Sequence, residues 1–201
     1  MRTLAVLGSN SHANQTAGRL ATANYSVRAW GTTDTDSACR RPITYPTPRS
    51  AATGAQALLT LIDDIDELRE VLTHPEAGAL DALEPGAWWL NLTPVTPSAS
   101  RELGDLARRY AVAYQHTPLL GADGHLVVIG PAAGDRCARA ACDAILGAIG
   151  AVIHAGTEAA HLAVTALPRV ANAEPALAVL GMQGWDIEAS MLEDARSAYQ
   201  H

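Results

Sequence analysis

The chain has 201 residues, 48% of them apolar, and a formal net charge of −7. That supports a real core in one large domain or slightly more. The acidic balance, with no basic cluster beyond Arg40-Arg41 and Arg108-Arg109, speaks against nucleic acid and anionic membrane as partners. No apolar run is long enough to span a bilayer and residues 1–8 lack a signal-peptide pattern, so a cytoplasmic location is expected. Cys39, Cys137 and Cys142 have neither even pairing nor metal-ligand spacing, which predicts reduced thiols. The histidines are scattered, and no metal set is expected. There is no lysine, and therefore no lysine acid, base or Schiff-base chemistry.

The apolar run around Leu4, Val6 and Leu7 stops at Gly8. A polar loop from Ser9 to His12, a helix-compatible stretch from Ala13 to Asn24 and a second apolar run from Tyr25 to Trp30 follow, closed by Gly31. Strand, glycine turn, helix and strand in this order predict the βαβ unit that opens a dinucleotide-binding sheet. The turn of such a unit carries G-x-G-x-x-G, and this chain has Gly8, Asn10 and Ala13 at the three glycine places. Ala is accepted at the third. Asn at the second puts a side chain where a diphosphate would lie. The helix N-terminus keeps its attraction for anions. A purely structural turn is the alternative.

Residues 33–50 are turn-rich, with no apolar period, and predict an irregular or mobile crossing. Ala57 to Ile62 reads as a buried parallel strand. Asp63 or Asp64 then caps a helix carrying Ile65, Leu68 and Leu72 on one face, ended by His74-Pro75. Ala87 to Leu92 is the next strand, and Thr96 with Pro97 starts a helix that ends at Arg108-Arg109. Further strands are expected at 111–116, 125–129 and 151–154, the middle one reached through a connection at 118–124, with a helix at 134–147. The alanine-rich stretch at 157–180 is helical in character, interrupted by Pro168 and Pro175, and a short helix closes the chain at 187–199. The alternation predicts an α/β doubly wound Rossmann-type sheet over residues 1–155 and a short helical C-terminal tail over 156–201.

Three stretches resemble the β-hydroxyacid dehydrogenases and, more closely, the imine reductases, a group with 6-phosphogluconate dehydrogenase-like NAD-binding domains. Ala29-Trp30-Gly31-Thr32-Thr33 is similar to V-W-N-R-T, and Leu61-Ile62-Asp63-Asp64 with Leu68-Arg69-Glu70-Val71-Leu72 to L-x-D followed by V-R-E-V-L. Asn91-Leu92-Thr93-Pro94-Val95-Thr96-Pro97 is similar to N-L-T-S-G-T-P. The resemblance implies NADPH-dependent hydride transfer to a C=N or C=O bond of a small molecule. It places the cofactor over Gly8, Asn10, Ser11, His12 and Ala13, with Gly31, Thr32 and Thr33 near the ribose. Asn91 and Thr93 would lead a loop toward the nicotinamide. It also implies a helical C-terminal domain exchanged between subunits.

Four departures accompany the likeness. Asn10 replaces the second glycine, and Gly31-Thr32 lacks the arginine expected for a 2′-phosphate. The proton-donor position falls near Val164 or Thr165, neither of which is Lys, Asp or Tyr. The chain stops at His201, where the family continues, which reads as a C-terminally truncated member. Glu158, His161, Thr165, Arg169 and Asn172 share one face if the helix survives Pro168, and Glu158 with His161 can form an acid/base pair. The alternative is the solvated face of a surface helix. His116, at a strand end, is either near a ligand or structural. The expected protein is thus a divergent NAD(P)H-dependent reductase. The alternative is a non-redox descendant, cyclase-, isomerase- or lyase-like or non-catalytic, that binds a small molecule in the former cofactor cleft. The apolar helix at 157–180 predicts a homodimer, or a heteromer with a chain completing the helical domain.

Overall fold

The computed structural model describes residues 2–32, 41–122, 125–131 and 136–155. The chain forms two compact units, one from residues 1–93 with 99–115 and one from 94–98 with 116–201.

The first unit holds a sheet whose strands are β1 Thr3–Leu7, β2 Ser26–Trp30, β3 Ile43–Thr44, β4 Ala57–Thr60, β5 Trp88–Asn91 and β6 Ala113–His116. Their spatial order is β3-β2-β1-β4-β5-β6, so the chain runs outward from β1 in one direction, returns, and builds the other half from β4. This is the doubly wound topology, with its switch point between β1 and β4. Pairing is parallel from β3 through β5, with Leu4 beside Val27 on one side and Ala57 on the other. All four residues of β4 and Leu4 to Leu7 of β1 are buried, as strands covered on both faces require. β2 alternates, burying Val27 and Ala29.

Helix α1 (Ser11–Thr22) buries Ala13, Thr16, Ala17, Leu20 and Ala21 at helical spacing, and the three alanines allow close approach to the sheet. Of the two acids after β4, Asp64 is the N-cap of α3 (Ile65–Thr73), where Leu68, Val71 and Leu72 face the core. Its C-terminus closes on His74, whose Nδ1 accepts from the amides of Glu76 and Ala77 at 3.2 and 3.1 Å. Helix α4 starts at Pro97 and ends at Arg109, as the Thr-Pro signature and the terminal arginines predict.

Residues 33–50 are not irregular throughout, contrary to the sequence reading. Strand β3 pairs with β2, and helix α2 (Pro48–Ala52) is held by a capping box in which Thr47 Oγ1 accepts from the Ser50 amide at 3.1 Å. Two and five residues are too short for periodicity to register.

The second unit contains an unexpected separate sheet of β7 (Leu119–Ala122), β8 (His125–Pro131) and β9 (Ala151–Ala155), with α5 (Arg136–Ile149) between the last two. β7 runs antiparallel to β8 where the sequence predicts a plain connection, and β9 runs parallel to β8. Ala122 lies opposite His125 at the end of that pairing. The expected tail at 156–201 lies outside the described residues. Among the described residues no helix is long and apolar enough to cross a membrane.

Candidate functional site

The C-terminal ends of β1, β2, β4 and β5 converge, where doubly wound sheets hold ligands. Their convergence is fixed by backbone. Gly8 N donates to Trp30 O at 3.1 Å, Leu61 N to Leu7 O at 2.9 Å and Leu92 N to Thr60 O at 3.0 Å. A Cβ on Gly8 would stand 2.3 Å from Leu61 O and 3.0 Å from Ala13 Cβ. Gly31, at φ +78°, packs so closely on the same turn that a Cβ there would lie 2.9 Å from Gly8 O. Only glycine fits either place. The first-glycine role read from the sequence therefore has a structural cause, and Ala13 supplies the close contact of the third.

Asn10 is the N-cap of α1, its backbone extended at φ −89° and ψ 173°. Oδ1 accepts from Ala13 N at 2.9 Å, an ordinary cap. Nδ2 donates to both carboxylate oxygens of Asp63, each at 3.2 Å. By sequence either Asp63 or Asp64 can cap α3. Because Asp64 takes that role, accepting from Asp66 N and Glu67 N at 2.8 Å each, Asp63 can meet Asn10 instead. Two consecutive acids after a buried strand were the available signal, since one cap needs only one of them. Ser11 is exposed and His12 half-buried in the first turn of α1; Thr32 follows Gly31 at the end of β2, half-buried. Thr33 lies outside the described residues.

Asn91 and Thr93 face inward. Asn91 is fully buried and Thr93 is 4% exposed. Asn91 Oδ1 accepts from Thr60 Oγ1 at 3.0 Å and from Thr93 N at 3.2 Å, and Thr93 Oγ1 accepts from Ile62 N at 2.9 Å. Thr60 Oγ1 in turn accepts from Trp89 Nε1 at 2.9 Å. These residues pin the loop after β4 to the loop after β5. Trp89 meets Tyr114 edge to face, with centroids 4.7 Å apart, and the Tyr114 hydroxyl lies 3.3 Å from Ser100 Oγ. Burial pushes the Tyr114 hydroxyl above the usual tyrosine range, against the opposing pull of Ser100 and Asn91. Asn91 Nδ2 faces this cluster without an acceptor in good hydrogen-bond geometry. Motif spacing gave no sign of the Ser100–Tyr114 contact.

Other candidates fall elsewhere. His116 is buried at the end of β6. Glu158, His161, Thr165, Arg169 and Asn172 lie outside the described residues. Among the described residues no three His, Cys, Asp or Glu side chains gather as metal ligands would. Arg28 is occupied, donating to Ser50 O at 2.8 Å and stacking 4.2 Å from the Tyr45 ring centroid.

Strand order and the glycine crossing define the protein as one of the dinucleotide-binding Rossmann class. Residues 3–158 match the family model of the NAD-binding domain of 6-phosphogluconate dehydrogenase, and the chain belongs to that family. A 3-hydroxyisobutyrate dehydrogenase from Mycobacterium tuberculosis, solved with L-serine, is similar at 20% identity and a TM-score of 0.69, over 97% of this chain and 69% of that one. An imine reductase variant from Myxococcus stipitatus in complex with NAD+ is similar at 17% identity and 0.70, over 92% and 64%. The Streptomyces aurantiacus imine reductase is similar at 20% and 0.66, over 84% and 61%. The chain thus spans between about three-fifths and seven-tenths of the length of these proteins. No curated protein sequence matches it.

A nicotinamide dinucleotide is the group this family implies. The backbone fits it, because Gly8 makes the tight strand-to-helix turn with which such a site begins. The side chains at the diphosphate position do not. Asn10 occupies the α1 cap, and a carboxylate rather than a cation stands beside it.

Proposed function

We propose that the chain is a reductase-like protein of the imine-reductase lineage, using NAD(P)H to reduce a small C=N or C=O compound in the cytoplasm. The observation that carries this reading is the glycine crossing at the switch point, in a chain whose residues 3–158 belong to an NAD-binding family. We further propose Glu158 and His161 as the acid/base pair with Thr165 beside them. Association as a homodimer, or with a chain supplying a helical domain, would cover the apolar stretch at 157–180.

The test is calorimetric titration of NADPH and NADH into the unmodified protein, followed by a screen of cyclic imines and ketones for cofactor oxidation. Micromolar binding and turnover would support the reading. No binding at millimolar cofactor would retire it. The engagement of Asn10 with Asp63 favours a second reading, a non-redox descendant holding a small molecule in the same cleft. A small molecule co-purifying with protein that binds neither nucleotide would support that alternative.

A further inference from the structure

We propose that Asn10 and Asp63 form a latch over the diphosphate position of the cleft, and that this pair sets how tightly the chain holds a dinucleotide. The inference rests on the reading of the cleft as a cofactor cleft. It concerns the one place where side chains and backbone disagree.

Both polar ends of the Asn10 side chain are committed. Oδ1 satisfies Ala13 N, an amide that an anion at the helix N-terminus would otherwise recruit. Nδ2 draws in Asp63 through both carboxylate oxygens. Asp63 is held there because its loop is anchored on two sides, by Leu61 N on Leu7 O and by Ile62 N on Thr93 Oγ1. A diphosphate brought to this turn would meet an amide already used and a like charge beside it.

Among the described turns at this end of the sheet, few groups can offset that charge. Residues 8–13, 31–32, 61–64 and 91–93 include no arginine, and the chain contains no lysine, so His12 is the only group of this set able to carry positive charge. The latch is nonetheless open to solvent. Asp63 is exposed and Asn10 half-buried, so a rotamer change at Asn10 would release both bonds without unpacking the core. The Gly8–Gly31 crossing beneath it does not depend on the Asn10 side chain. Hence the cleft is built and closed by different parts of the molecule.

The experiment compares NADPH binding by calorimetry for the unmodified chain, Asn10→Gly and Asp63→Asn. Glycine retains most of the capping preference at position 10, and the amide in Asp63→Asn keeps the shape of the carboxylate while losing its charge, so both variants should fold. Thermal unfolding of each would confirm it. Either variant should bind NADPH roughly ten- to hundredfold more tightly than the unmodified chain, the range of a hydrogen bond to a charged group. Affinity within twofold of the unmodified chain for both variants would overturn the latch, whatever that common affinity is. The cofactor reading is judged separately, by whether the unmodified chain binds at all. Tight binding by the variants alone would keep the latch and retire present-day cofactor use.

Discussion

Helices α1 and α3 both rise from the C-terminal end of a central parallel strand, yet they guard their N-termini differently. α3 is sealed by its own sequence. Asp64 caps two amides, and Asp66 and Glu67 fill its first turn with negative charge. α1 has no acid in its first turn, and its cap is the neutral Asn10. Among the described residues, the negative charge hydrogen-bonded to that cap belongs to Asp63, 53 positions away in sequence. A helix end closed by its own acids is permanently unattractive to anions. One closed through a bond to another loop can be reopened by a single substitution. The difference separates an end closed by its own sequence from one closed through a neighbouring loop.

The largest effect should come from the backbone beneath α1. Gly8→Ala places a methyl group against Leu61 O, and the strand ends must separate to admit it. A loss of about 3 kcal/mol in denaturant unfolding is expected, the upper range for overpacking. A loss below about 0.5 kcal/mol would mean that the crossing is looser than described. Next is Thr60→Val, which takes the acceptor from Trp89 Nε1 and the donor from Asn91 Oδ1 in a buried cluster. About 2 kcal/mol should be lost, measured in the same way.

The two caps should then part company. Asp64→Ala should cost about 1 kcal/mol and Asn10→Gly only a few tenths, because glycine is tolerated at N-caps. Equal costs would mean that glycine does not serve as a cap at position 10. The smallest effect concerns Tyr114, whose raised pKa means that the folded state holds its proton longer than the unfolded chain. Its contribution is complete below pH 10.0, the unfolded value, and is lost as pH rises from there through the folded one. Tyr114→Phe should flatten the alkaline decline in stability. An unchanged decline would place its cause elsewhere.

Much of this architecture was legible in the sequence. Continuous apolar runs marked β1, β4 and β5, and Thr96-Pro97 marked the start of α4. The same Thr-Pro signature stands at Thr47-Pro48, yet α2 escaped because no apolar period follows so short a helix. β7 escaped because Leu119-Leu120 alone is too little for a strand, and the stretch at 118–124 reads as a plain connection. At the site, the glycines and Ala13 could be placed by their spacing. The partner of Asn10 could not, because the meeting of two side chains on separate surface loops leaves no periodicity. Asn91 and Thr93 were legible as strand-end residues, but whether their polar atoms face a ligand or brace the loops is a matter of packing.

The most direct test of the account is a double-mutant cycle on NADPH affinity, with Asn10→Gly, Asp63→Asn and the two combined. If the pair works as one latch, the combined variant gains clearly less than the product of the single gains, because either change alone already removes the charge-assisted hydrogen bond between the two residues. Gains that multiply would show two independent obstacles. No gain in any variant would contradict the account outright.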